Sequence, residues 1–240
     1  MGNARDIYKS VRRGLVRATR RPAVGRVNLG DLDRLTPISR DWGFDRGQPI
    51  DRLYIERFMA AHAADIRGDV LEVSNNDYTL RFGGDRVARS DILHPVGGNP
   101  RATVIADLAM PEPGLEGRYD CIICTQTLQL VYDFRSAIRQ LRLWLKVGGV
   151  ALVSVPGISQ ISREDMQQTG DYWRFTGAAM RRIFTEEFGE GAAEVDVLGN
   201  VLAATAFLQG IAAEEFDEAE LLEPDPQFQM LTTVRAMRRY

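Results

Sequence analysis

Short apolar runs that alternate with helical stretches are what most restrict the folds open to this chain. The runs 70–73, 86–92, 102–106, 119–124 and 150–155 are each bounded by acidic or turn residues. Between the last two, residues 134–145 repeat apolar side chains at helical spacing, and Gly148-Gly149 marks a stop. Upstream, 50–66 reads as a helix with Asp51 near its start, an apolar stripe of Ile55, Phe58, Met59 and His62, and Gly68 beyond its end. Strands alternating with helices predict an α/β fold: a doubly wound, mostly parallel sheet with helices on both faces. After these five β/α units, 194–198 and 230–237 read as strands around a helical 201–216, predicting an antiparallel C-terminal strand pair. The organisation expected is an N-terminal arm over 1–40 and a single domain over 41–240.

Charge narrows the function classes. A formal net charge of −3 argues against broad nucleic-acid binding. The positive charges of the arm are concentrated in Arg5, Lys9, Arg12, Arg13, Arg17, Arg20, Arg21 and Arg26, against Asp6 alone. With Ile7, Val11 and Leu15 at helical spacing, residues 4–20 are a candidate basic amphipathic helix for an anionic membrane surface or a partner. The other reading is a solvated arm lying on the acidic C-terminal region. The opening residues lack the apolar core of a secretory signal, and the longest apolar run, 201–213, is too short to span a bilayer. A cytoplasmic protein is expected. Cys121 and Cys124 are flanked by isoleucines in a strand-like run, so they are expected as core residues rather than a redox pair or metal ligands. No metal is predicted, and the oligomeric state is left open.

In open α/β sheets ligands bind beyond the carboxyl ends of the strands. Ser74 to Tyr78 follow the first strand, and the second, third and fourth end at Asp91-Ile92, Asp107-Leu108 and Thr125-Gln126. Two acids at successive strand ends suit a nucleoside, whose ribose hydroxyls and adenine amino group are donors to a carboxylate. No G-x-G-x-x-G turn follows Val73, which tells against a pyrophosphate. An adenosine carrying positive charge and no phosphate fits better, and S-adenosylmethionine is such a ligand. Glu72 is placed to face its amino group.

The segments VLEV, RSDIL, ADL, YDCIICTQTLQLVYD and LKVGGVALVSVPG, in this order from about Pro49 to Pro156, resemble class I S-adenosylmethionine-dependent methyltransferases, a Rossmann-like fold. The resemblance implies that Glu72, Ser74, Asn75, Asn76 and Tyr78 line the methionine part. It implies Asp91 with Ile92 at the ribose, Asp107 and Leu108 at the adenine, and Thr125 and Gln126 near the sulfonium. DYWRFT (171–176) is similar to a segment of members acting on small or glycan-type acceptors, making Asp171, Tyr172, Trp173 and Arg174 candidate substrate contacts. The departure is the first turn, where the family's E/D-x-G-x-G is replaced by E-V-S-N-N-D. Asn and Asp tolerate left-handed backbone better than other non-glycine residues, so Asn75, Asn76 or Asp77 is expected to take over the turn.

No catalytic base stands out. His62 lies on an apolar helix stripe and reads as structural, and His94 follows the second strand, nearer the nucleoside than the methyl group. Residues 41–56 are a candidate lid with Arg46, Asp51 and Tyr54 as contacts, the alternative being helix capping and core aromatics. The expected function is methyl transfer from S-adenosylmethionine to a small molecule, a hydroxyl of a sugar or secondary metabolite. The alternative is a non-catalytic protein of the same fold that acts through partner binding.

Overall fold

The computed structural model describes residues 22–23 and 25–240. The chain divides into two compact units, 1–37 and 38–240. Within the first, the regular element among the described residues is a 3-10 turn, Gly30–Leu32. The amphipathic helix expected over 4–20 lies outside the described residues.

The second unit carries a seven-stranded sheet: β1 (Gly68–Val73), β2 (Val87–His94), β3 (Val104–Ile105), β4 (Tyr119–Thr125), β5 (Leu145–Pro156), β6 (Ala193–Leu198) and β7 (Leu231–Met237), in the order β3-β2-β1-β4-β5-β7-β6. The first five are parallel, and β7 runs antiparallel between β5 and β6. The helices are α1 (Ile50–Ala61), α2 (Phe134–Trp144), α3 (Arg163–Gln168), α4 (Gly177–Phe188), α5 (Val201–Gln209) and α6 (Glu218–Leu222). None of them is long and apolar enough to cross a membrane.

The central strands are near-continuous apolar runs because both of their faces are covered. Leu71, Ile122, Ala151 and Val153 point to one face, against Ile138 and Leu141 of α2 and Met180 and Phe184 of α4. Val70, Ile123 and Leu152 point to the other, against Ile55 and Met59 of α1 and Phe207 of α5. A spacing of three along a strand puts Cys121 and Cys124 on opposite faces. Both thiols are free and buried, and burial pushes that of Cys124 up to about 12.

Three details depart from the sequence reading. No α-helix forms between β1 and β4. Thr79–Gly83 and Gly84–Arg86 make single turns, and helix breakers Pro95, Gly97, Gly98 and Pro100 fill the connection to β3. Gly148-Gly149 lie inside the long β5 rather than at a helix end, with the Gly148 amide donating to the Arg238 carbonyl at 2.7 Å. The helix expected over 201–216 ends at Gln209, because Gly210 takes a left-handed conformation (φ 66°, ψ 40°) and its amide closes the last turn.

Gly210 also packs tightly, since a Cβ there would lie 2.4 Å from the Ser39 carbonyl oxygen. Gly210→Ala therefore combines a left-handed alanine with a backbone clash, and is expected to destabilise the protein by at least ~1 kcal/mol. Urea denaturation followed by circular dichroism measures this, and an unchanged midpoint would contradict the packing described.

Candidate functional site

The carboxyl ends of β1, β4 and β5 meet α1 in one place. Next to the last residue of β1 stands Glu72, a buried carboxylate used by the turn that follows the strand. It accepts from the Tyr78 amide (3.2 Å), the Thr79 amide (2.7 Å) and the Thr79 hydroxyl (2.7 Å). Burial raises its pKa and these donors oppose the rise. Glu72 thus holds the turn in place. The left-handed residue is Ser74 (φ 73°), at the first glycine position of the family's turn, rather than Asn75, Asn76 or Asp77. Asn75 accepts from the Asp77 amide at 3.1 Å. Asn76 donates to Ser90 (3.0 Å) and accepts from Arg101 (2.6 Å), and Asn99 donates to the Ser74 carbonyl at 2.9 Å.

Asp91 is not at a strand end. β2 runs on to His94 because Leu93 faces inward, and Asp91 pairs in register with Leu71. Its buried carboxylate accepts from Thr103 (2.8 Å), Arg118 (2.9 Å) and Tyr119 (3.2 Å), with Arg89 at 3.1 Å. This cluster occupies both oxygens and fills sheet surface that no helix covers. Ile92 is likewise buried. The residue at the strand end is half-buried His94, whose Nδ1 lies 2.7 Å from the Val96 carbonyl. That bond requires Nδ1 to be the donor, so Nε2 of the neutral ring is an acceptor. Past β3, Asp107 is exposed and accepts from its own turn at the Ala109 amide (2.8 Å), beside buried Leu108.

Beyond β4 and β5 lies a cavity of about 220 Å³. Its walls come from Trp42 and Phe44, from Asp51 and Arg52 of α1, from Gln126, Gln129 and Leu130 after β4, and from Pro156, Ser159, Gln160 and Ser162 after β5. Glu164, Asp165, Asp171, Arg174 and Phe207 complete it. Gln126 bends left-handed (φ 46°), its amide held by the Ser154 carbonyl at 2.9 Å. Its side chain donates to buried Asp51 at 3.2 Å and accepts from Gln129 at 3.4 Å. Burial raises the pKa of Asp51, against the opposing pull of Arg52. Arg52 in turn donates to the Tyr78 hydroxyl at 3.3 Å, tying the cavity to the first turn. Thr125 is half-buried beside Gln126.

Of the lid candidates, Asp51 alone reaches the cavity. Arg46 is exposed and makes a two-pronged pair with Glu215 (2.9 and 2.6 Å). Tyr54 is buried under α1, donates to the Leu221 carbonyl, and burial raises its pKa to about 12. Of the substrate candidates, Asp171 and Arg174 line the cavity as a two-pronged pair (2.5 and 2.9 Å). Asp171 also accepts from the Ser162 amide at 2.9 Å, while Arg174 donates to the Gln160 and Trp173 carbonyls at 2.5 and 2.7 Å. Burial works against the Asp171 charge, but Arg174 and the Ser162 amide outweigh it and hold its pKa low. The pair clasps the loop after β5 and offers no proton acceptor. Tyr172 is 49% exposed and stacks edge-on against Tyr132 outside the cavity, and Trp173 donates to the Tyr132 carbonyl at 3.2 Å. Sequence reasoning missed Arg52 and Gln129. The one visible signal was a polar residue inside the apolar run LQL at 128–130.

No curated sequence matches the chain. Among solved structures, the citrinin polyketide synthase CMeT domain is similar at TM-score 0.51 and 12% identity, over 79% of this chain and 53% of that one. The chain therefore spans about half of that structure. The [4+2]-cyclase SpnF is similar at TM-score 0.51 and 16% identity, over 80% of this chain and 84% of the other. An S-adenosylmethionine-dependent methyltransferase from Archaeoglobus fulgidus is similar at TM-score 0.50 and 9% identity, over 78% and 94%. These likenesses show the fold. The profile of the methyltransferase domain family matches residues 40–193, more than half of the chain. The chain belongs to the methyltransferase domain family, class I proteins whose cofactor is S-adenosylmethionine.

Proposed function

We propose that this protein transfers the methyl group of S-adenosylmethionine to a hydroxyl of a small acceptor of the sugar or secondary-metabolite type. The observation that carries the reading is where the backbone is strained. Among the described residues, those with left-handed φ that are not glycine are Trp42, Ser74 and Gln126. Such residues cost of order 1–3 kcal/mol each and persist where the surroundings over-determine them, typically at functional sites. Trp42 and Gln126 line the cavity. Ser74 follows β1 beside the end of β4, since Glu72 lies opposite Ile123.

The residues present fit the cofactor in altered form. Ser74 reproduces the turn that a glycine usually makes, and Glu72 fixes it from below. In this reading the turn Ser74–Tyr78 and Arg52 hold the methionine part, His94 Nε2 accepts from a ribose hydroxyl, and Asp107 with Leu108 borders the adenine. Thr125 and Gln126 lie at the sulfonium, and the cavity beyond them takes the acceptor. When bound, the cofactor supplies a carbon already activated for displacement. The chain's own task is to align the acceptor, exclude water and receive a proton.

A second reading, a non-catalytic protein of this fold, is favoured by one observation. Asn99 and Arg101 reach into the first turn and use groups that would otherwise face a ligand. The similar structure named as a cyclase is a reminder that this fold does not dictate methyl transfer.

Calorimetric titration with S-adenosylhomocysteine separates the two. Micromolar binding is expected, and absence of binding at millimolar ligand would favour the second reading. Within the site, His94→Ala is expected to weaken S-adenosylhomocysteine binding by roughly fivefold, the worth of about one hydrogen bond. Asp91→Ala leaves Arg118 and Tyr119 without their acceptor and is expected to destabilise the fold by about 2 kcal/mol. Its effect on affinity, measured on the folded fraction, should be the smaller of the two. The reverse order would return the ribose to Asp91.

A further inference from the structure

We propose that Asp51 is the catalytic base of methyl transfer, taking the proton of one acceptor hydroxyl while a second hydroxyl of the acceptor donates to the side-chain carbonyl of Gln129. This rests on the methyltransferase reading and goes beyond it by assigning the base and the hydrogen-bonding character of the acceptor.

The polarity of the cavity wall follows from the carboxylate. Asp51 can only accept when ionised, so the amide nitrogen of Gln126 must turn toward it (3.2 Å). The Gln126 oxygen then faces Gln129 and takes its amide nitrogen at 3.4 Å. That leaves the Gln129 Oε1 with no partner although the residue is only 8% exposed. A buried acceptor left unsatisfied is costly, so a donor that reaches it is favoured. Among the described residues, Gln126 is the one side-chain donor to Asp51. The relay thus ends in two acceptors, Asp51 on the cavity wall and the Gln129 oxygen sealed within that wall, and a molecule that reaches both must donate twice. A diol does so; a simple alcohol has one proton to give, and an ether, an ester or a carboxylate has none.

Among the described residues, Asp51 is also the buried carboxylate of the cavity whose cation stands farther off. Arg52 on its own helix lies 3.9 Å away and is drawn toward Tyr78. Across the cavity, Asp171 is taken by Arg174, and Glu164 and Asp165 stand on the exposed α3. Burial raises the Asp51 pKa, which strengthens it as a base. In the transfer, the acceptor oxygen bonds to the methyl carbon as the carbon–sulfur bond breaks with its electron pair on sulfur. The hydroxyl proton passes to Asp51 and from there to solvent, so no other reactant is needed.

The test needs no natural acceptor. S-adenosylmethionine carries the sulfonium charge and S-adenosylhomocysteine does not. A carboxylate facing the methyl favours the charged ligand only when ionised, so the ratio of the two affinities should rise with pH through the Asp51 pKa. A displacement of one pKa unit corresponds to roughly a tenfold rise. Calorimetry of both ligands over a pH series from acid to neutral should show this rise in the wild type and a flat ratio in Asp51→Asn. A flat ratio in the wild type, or a rise retained in Asp51→Asn, overturns the assignment. Failure of both ligands to bind overturns the methyltransferase reading instead. If Asp51→Asn does not fold, the wild-type comparison alone decides. For the acceptor, saturation-transfer NMR of the S-adenosylhomocysteine complex should detect catechol and not its dimethyl ether, and equal signals or none from catechol would overturn the donor requirement.

Discussion

The site depends on one buried carboxylate. Glu72 gathers two backbone amides and a hydroxyl from the turn after β1, and so orders a segment that lacks the glycines usual at this point. An unsatisfied buried amide costs as much as a lost hydrogen bond, so a chain leaving β1 without this acceptor would have to turn elsewhere. With the turn anchored, Ser74 is held left-handed, Tyr78 is set for Arg52, and Arg52 fixes the first turn of α1. From there Asp51 reaches Gln126, and Gln126 reaches Gln129. The cavity and the first turn are therefore one connected polar system. β1 and the cavity are thus joined through side chains that already touch.

The scaffold around this system is reduced on one side. Where β1 to β4 would carry crossover helices, short turns and a Pro- and Gly-rich loop take their place, and an ion cluster around Asp91 covers part of the bare sheet. Charge takes over a task that apolar helix packing performs elsewhere in the sheet. The same cluster engages both oxygens of the acid that the sequence singled out.

Much of the fold was legible because its signals are local and strong. The runs at 119–124 and 150–155 are buried on both faces, and that requires unbroken apolar sequence. The C-terminal strand pair also stood out. The site was less legible, since acids were read as strand ends. An aspartate interrupts an apolar run equally well when a strand stops and when it continues past a buried ion pair, as β2 does through Leu93 to His94. Asx residues were expected to take the left-handed position, yet it falls on Ser74, whose carbonyl is held by distant Asn99. Gln129 lay hidden in an apolar run because its role depends on the orientation of Gln126, a neighbour it meets only in the folded turn.

The opposed cysteines of β4 have a practical consequence. Each thiol is sealed by a different layer of helices, Cys121 beneath α1 and Cys124 beneath α2. Thiol reagents act on accessible thiolates, and burial suppresses both the access and the ionisation. Labelling at one position therefore requires that its own helical layer lift away. The molecule carries a native reporter for each half of its core, and the order in which the two thiols become reactive tells which layer opens first.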